Sequence, residues 1–207
     1  MRCTQPYNES GFTLTELLIA MAISGLLLAA VVTTFLIQRS SFALQEQITE
    51  MVQNARAAMD MMTREIRMAG YDPTRTAGAS IVSAQANTIN FTLDTTNIAG
   101  GGGPDGNVNG PNENITYTVY TTNGVQKLSR KTGGSNGQNQ PLIEHVQALH
   151  FVYRDGAGNV TTSPATIRQV LITVTTRTAK PDHKYPFNGG YRTYTLRAVT
   201  TPRNLAY

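Results

Sequence analysis

Gly11-Phe12-Thr13-Leu14-Thr15-Glu16-Leu17-Leu18 runs without a break into Ile19-Ala20-Met21-Ala22-Ile23-Ser24-Gly25-Leu26 and on to Ile37. Between Glu9 and Arg39 the only charge is Glu16, and residues 17–37 are apolar apart from Ser24, Thr33 and Thr34, with one glycine at Gly25. A bilayer core needs about 20 such residues in helical form, so this run is long enough to cross one. A secretory signal would show a shorter apolar core followed by a small-residue cleavage site. Here the run continues into a helical pattern instead, so any processing falls in front of it. A lone carboxylate at such a position is costly in hydrocarbon, about 2.5 to 3.5 kcal/mol at a helix centre, and calls for a cationic partner.

Outward from this run the pattern changes twice. From Arg39 onward it becomes one-sided: Ile48, Val52, Ala55, Met59, Met62, Ile66 and Ala69 recur at alternating steps of four and three, the stripe of an amphipathic helix. Gly70 and Asp72-Pro73 give the stop. One helix over residues 12–69 would be roughly 85 Å long at 1.5 Å per residue. Met59, Met61, Met62 and Met68 read as core packing against a sheet rather than as a partner groove. After Pro73 the spacing turns to period two with β-branched residues, predicting strands over 88–93, 115–121, 125–129, 146–154, 167–176 and 191–200. Asn123-Gly124 predicts a tight hairpin, and Asp155-Gly156-Ala157-Gly158-Asn159 predicts the end of another strand. With short turns and no helical crossovers, the strands should be antiparallel and lie on the amphipathic helix, an α+β fold.

The octapeptide at residues 11–18 resembles the prepilin peptidase signature of type IV pilins and pseudopilins. The resemblance implies a leader, residues 1–11, removed at the Gly11–Phe12 bond. It also implies a new amino terminus at Phe12 that is N-methylated, and a role for Glu16 in assembly. Residues 12–38 would then be the transmembrane and filament-core helix, 39–72 the amphipathic helix, and 73–207 the β-rich head. A new amine at Phe12 lies one turn from Glu16, so the carboxylate can offset that charge or a neighbouring subunit's while facing the positive end of the helix dipole. The leader carries Arg2 and Glu9, a weak positive-inside signal. Thr33 stands where major pilins often have Pro, so no break is encoded there. Ala20 with Ser24, and Gly25 with Ala29, are pairs four apart that would let another helix approach closely.

Residues 142–153, the strand at 168–175, Arg203-Asn204-Leu205 and residues 64–71 resemble PilW-type minor pilins and the related type II secretion J pseudopilins; residues 74–113 do not. That resemblance implies a minor pilin that helps initiate or support a type IV pilus. The alternatives are a J-like pseudopilin or a filament-borne subunit that binds DNA or a surface. The implied partners are prepilin peptidase, other pilins through the N-terminal helix, and the bacterial inner membrane. The head would lie in the periplasm before entering a pilus or pseudopilus.

Composition agrees with an exported β-rich chain: charged residues are 14% of the sequence, and the later half is crowded with Thr, Asn and Gly. The one cysteine, Cys3, lies in the expected leader, so the processed chain would hold no disulfide. Net charge is +4, with the excess late in the chain. Lys184, Tyr185, Phe187, Tyr191, Arg192, Tyr194 and Arg197 interleave cations and rings, but read first as a solvated strand face with core aromatics, so nucleic acid is not an expected partner. Asp105, Asn107 and Asn109 with Gly110 match the front of a calcium loop, with Glu113 as further charge. The position for the bidentate acid is Thr116, so a turn-rich loop is the favoured reading and Ca2+ the alternative. His145 and His150 fall on opposite faces of a predicted strand, and with no cysteine near them a zinc site is not expected. No nucleophile elbow or other catalytic setting is present in the sequence, and no enzyme activity or cofactor is expected.

Overall fold

A computed structural model describes residues 11–95, 102–133 and 137–205. One helix, α1, spans Leu14–Met68, and the chain divides into two compact units, 1–46 and 47–207. The expected leader, apart from Gly11, lies outside the described residues.

In the first unit α1 is exposed along nearly its whole length. From Leu14 to Ile37 every large apolar side chain is at least half exposed, so nothing among the described residues covers them. Two of the hydroxyls that interrupt the run are satisfied within the helix: Thr33 Oγ1 donates to the Ala29 carbonyl at 2.8 Å and Thr34 Oγ1 to that of Ala30 at 2.9 Å. Such back-bonding lets a polar side chain sit in an apolar stretch without an orphan donor.

In the second unit the later part of α1 buries Met51, Ala55, Ala58, Met59, Met62 and Ile66. The predicted stripe is present but turns slightly, because Met51 and Ala58 enter it while Ile48 and Val52 are half-buried. Met59 and Met62 are core residues as expected; Met61 is half-buried and Met68 exposed. The helix ends at Gly70, φ 79°, whose N–H donates to the Thr92 carbonyl at 3.0 Å. The chain's last described residues close this end. Arg203 N–H donates to the Arg67 carbonyl at 3.0 Å, Asn204 Nδ2 reaches the Met68 carbonyl at 3.3 Å, and a Cβ on Gly70 would stand 2.5 Å from Leu205 Cδ2. Two of the short strings noted in the sequence, residues 64–71 and 203–205, are therefore two sides of one contact.

Eight strands follow: β1 Ile81–Ala84, β2 Ile89–Thr92, β3 Asn114–Thr122, β4 Val125–Thr132, β5 Asn139–Glu144, β6 Val146–Arg154, β7 Gln169–Arg177 and β8 Thr193–Thr200. All pair antiparallel, but in two sheets, β1-β2-β3-β4-β5 and β6-β7-β8, rather than the one expected. The cause is His145. It takes φ 57° as the single residue between β5 and β6, turning the chain out of one sheet and into the other. That conformation is uncommon for a side-chain-bearing residue, though His is among those that enter it more readily. β1 and β5 escaped the sequence reading because they are short, and β5 carries Pro141, a residue tolerated on an edge strand such as this one. Asn123 and Gly124, at φ 49° and 73°, form the expected two-residue hairpin between Thr122 and Val125. Asp155 Oδ1 accepts from the N–H of Ala157 and of Asn159, both at 2.9 Å, fixing the turn after β6.

The core gathers α1 with both sheets through Met62, Ile66, Phe91, Tyr117, Leu128, Phe151 and Ile172, among others. Tyr153 ties the sheets together: its hydroxyl donates to the carbonyls of Gln85 at 2.8 Å and Thr88 at 3.2 Å. Glu65 is drawn inward by Arg130 of β4. Arg130 Nε lies 2.9 Å from Glu65 Oε2, the Tyr117 hydroxyl donates to the same carboxylate, and Arg130 Nη1 donates to Asn112 Oδ1 at 3.0 Å.

Candidate functional site

The amino-terminal site is built from exposed residues. Phe12 is 90% exposed, directly ahead of the helix, and Gly11 is open, with nothing near a Cβ placed on it. Glu16 has a local role that the sequence reading missed. Thr13 stands before the first helical residue, its N–H donates to Glu16 Oε2 at 2.8 Å, its hydroxyl donates to the same oxygen at 2.7 Å, and Glu16 N–H donates to Thr13 Oγ1 at 3.3 Å. This is a capping box, in which a Thr and a Glu three residues on satisfy donors that the first turn leaves unpaired. Its signal was legible as Thr13-Leu14-Thr15-Glu16. One carboxylate oxygen and the helix dipole thus hold the acid at the helix start, facing the segment that contains Phe12. Ala20, Ser24, Gly25 and Ala29 are all exposed, and Gly25 also has open space where a Cβ would be.

The calcium-loop residues are arranged around two buried carboxylates. Glu113 is fully buried, and its oxygens accept from Thr95 N–H at 2.8 Å and Gly110 N–H at 2.7 Å. Asp94, also fully buried and not singled out from the sequence, accepts from the N–H of Asp105 at 3.0 Å and of Gly106 at 3.1 Å, and from the Thr74 hydroxyl at 3.1 Å. Asp105, Asn107 and Asn109 are exposed, and Asp105 Oδ1 accepts from Asn107 N–H at 3.0 Å. The geometry uses carboxylates to capture backbone donors, which fixes a glycine-rich loop without a sheet ladder. Among the described residues no three or more His, Cys, Asp or Glu side chains converge as a metal cluster.

The histidines are dispersed. His145 is half-buried at the corner between the sheets and not in a strand, His150 is exposed on β6, and His183 is exposed in the β7–β8 loop. A groove of about 350 Å³ lies beside His145, lined by Gln47, Glu50, Asn54, Glu144 and Arg177. Glu144 is engaged by Lys127 at 2.5 Å. The basic-aromatic set differs from its expected form: Tyr185, Tyr191 and Tyr194 are half-buried rather than core, and Phe187 is 66% exposed. Arg192 lies 4.2 Å from the Tyr185 ring centre and Arg177 4.3 Å from that of Tyr191, cation–π contacts that hold the loop between β7 and β8.

Together these features define a class: a β-rich unit following an apolar helix whose start bears an open Gly-Phe junction and a capped acid. Residues 6–32 match the family described as the prokaryotic N-terminal methylation motif. The match covers the amino-terminal segment alone, which is similar to that motif. No curated protein matches the sequence. A type IV-like pilin from Thermus thermophilus aligns with 75% of this chain and 98% of its own, at 13% identity and a TM-score of 0.48.

Proposed function

We propose that this chain is a minor pilin. It is inserted once through the bacterial inner membrane with its head in the periplasm, cut by prepilin peptidase between Gly11 and Phe12, methylated on Phe12, and then taken into a type IV pilus whose assembly it helps initiate or support. The carrying observation is the uncovered apolar length of α1 behind the Gly11–Phe12 junction, marked by a single acid at Glu16. Such a surface has to be covered by lipid and then by other helices. The Ala20–Ser24 and Gly25–Ala29 pairs supply close-approach faces for those helices. Glu16 meets the new amine of its own or an adjoining subunit. The role is structural, with no reaction and no cofactor.

A J-like pseudopilin is the second reading, favoured by the same strings at residues 64–71 and 203–205 that the structure brings into contact. Both readings require the same processing. Intact mass of the membrane form should begin at methylated Phe12, and a Gly11→Val variant should retain its leader. Glu16→Ala should still be cut but enter filaments poorly. A mature form starting elsewhere refutes both readings. Purified filaments then distinguish them, since co-purification with pilus subunits selects the first and with secretion-system subunits the second.

A further inference from the structure

The side chain of Gln47, where the second unit begins, is engaged by a distant part of the chain. Lys180 N–H donates to Gln47 Oε1 at 2.9 Å. Lys180 lies early in the long loop between β7 and β8, residues 178–192, so this loop is bonded to the first residue of the second unit. Gln47 follows Arg39, the first charge after that segment, by eight positions. Along a helix that is about 12 Å, whatever direction the chain takes afterwards.

The loop is tightly built. Asp182, its only carboxylate, is used inside it: Oδ2 accepts from Arg192 Nη2 at 2.8 Å and Oδ1 from Lys184 N–H at 2.9 Å, while Asp182 N–H donates to the Gly190 carbonyl at 2.7 Å. Gly190, φ 88°, lets the two limbs close, since a Cβ there would stand 2.9 Å from Pro181 Cβ. Gln147 Nε2 pins the far limb through Asn188 Oδ1 at 3.2 Å. Facing outward are Lys180, His183, Lys184 and Phe187, all exposed. With its acid engaged internally, the loop presents positive charge and one open ring on a fixed frame.

Membrane–water interfaces favour this combination. Apolar rings are buried at the boundary of headgroups and acyl chains, and cations are drawn to anionic lipid when they come within a Debye length, about 8 to 10 Å at ordinary salt. We propose that the loop at residues 178–192 docks on anionic phospholipid headgroups of the membrane that holds the helix, with Lys180 and Lys184 at the phosphates and Phe187 just beneath them. This rests on the membrane-anchor reading above. A single strand of nucleic acid would use the same cations but needs ring faces for its bases. The Tyr185 and Tyr191 rings already carry Arg192 and Arg177, so the loop offers little for stacking.

The chain contains no tryptophan, so Phe187→Trp in the full chain reports this loop alone. Val160→Trp is the reference: Val160 is exposed and bridged to Arg154, at the end of β6 and β7 away from Arg177. Both variants are reconstituted into vesicles of phosphatidylcholine, with or without phosphatidylglycerol, containing brominated lipid. The Phe187→Trp signal should be quenched severalfold more strongly in the anionic vesicles, while the Val160→Trp signal stays unquenched in both. Adding Lys180→Glu and Lys184→Glu, or about 0.5 M salt, should remove the difference. Equal quenching in neutral and anionic vesicles overturns the proposal, as does quenching no greater than the reference. A signal that answers a single-stranded oligonucleotide but not lipid overturns it in favour of nucleic acid. Flotation of the same samples separates the two readings. A chain that floats without quenching at position 187 loses only the loop's role, whereas one that fails to float loses the anchor as well.

Discussion

Arg130→Met isolates the ion pair that joins α1 to the larger sheet. The Arg130 side chain is 9% exposed and that of Glu65 is 22%, so the substitution strands a carboxylate that is mostly removed from water. Loss of one partner of a buried pair costs about 3 to 5 kcal/mol. Here Glu65 keeps some solvent and the Tyr117 hydroxyl, which burial and the Glu65 charge hold protonated far above its usual range. The expected loss is therefore about 2 to 3 kcal/mol. Glu65→Leu combined with Arg130→Met removes both charges and should recover stability to within about 1 kcal/mol of the unaltered chain, because an apolar replacement of a buried pair is often neutral. The measurement is urea denaturation of the full chain in detergent, followed by near-ultraviolet dichroism of the tyrosines, run as a double-mutant cycle. A single-variant loss under about 0.5 kcal/mol, the worth of an exposed pair, would refute the argument, as would a double variant as unstable as the two singles summed.

Thr13→Ala should leave cleavage at Gly11 intact but cost the start of α1 about 1 kcal/mol, seen as faster amide exchange over the first turn, and Thr13→Ser should restore it. Gly70→Ala imposes a left-handed side chain that meets Leu205, so the denaturation midpoint should fall by the equivalent of more than about 1 kcal/mol, and Leu205→Ala should relieve the clash but not the backbone strain. Asp94→Ala should release the loop at residues 102–113 to limited proteolysis while α1 and the sheets persist, since it strips acceptors from Asp105, Gly106 and Thr74 together. The Arg192 hydrogen bond and the Lys184 amide hold the Asp182 carboxyl below its ordinary value of 3.8. A depressed carboxyl contributes stability above that ordinary value and loses it as pH falls through its folded value. Amide protection in residues 182–192, the exchange rate taken relative to that of an unstructured chain at the same pH, should therefore be steady above pH 3.8 and fall only below it.

The elements with the strongest periodicity were legible in the sequence. The apolar run and the stripe through Ala55, Met59, Met62 and Ile66 predicted α1 to within two residues at its start and one at its end. β3, β4, β6, β7 and β8 announced themselves by alternation. Structure that depends on a single conformation did not: the left-handed turn at His145 splits the strands into two sheets, and no alternation rule registers it. Buried charges were illegible for a related reason. Glu65 lies beside the apolar stripe, and only the third dimension brings Arg130 and Tyr117 to it. Asp94 and Glu113 were likewise unreadable as loop anchors, since their partners are backbone amides with no side-chain signature. At the helix start, Glu16 was found from its isolation, but its bond to Thr13 was overlooked although Thr-x-x-Glu spelled it.

The contact of residues 203–205 with the end of α1 also orders the protein's biogenesis. Carbonyls of Arg67 and Met68 find these partners only 136 residues further along the chain. The apolar segment is therefore made, and can engage the membrane, while the second unit is still open. Synthesis of residues 203–205, not arrival at the bilayer, then becomes the event that closes this end of the head.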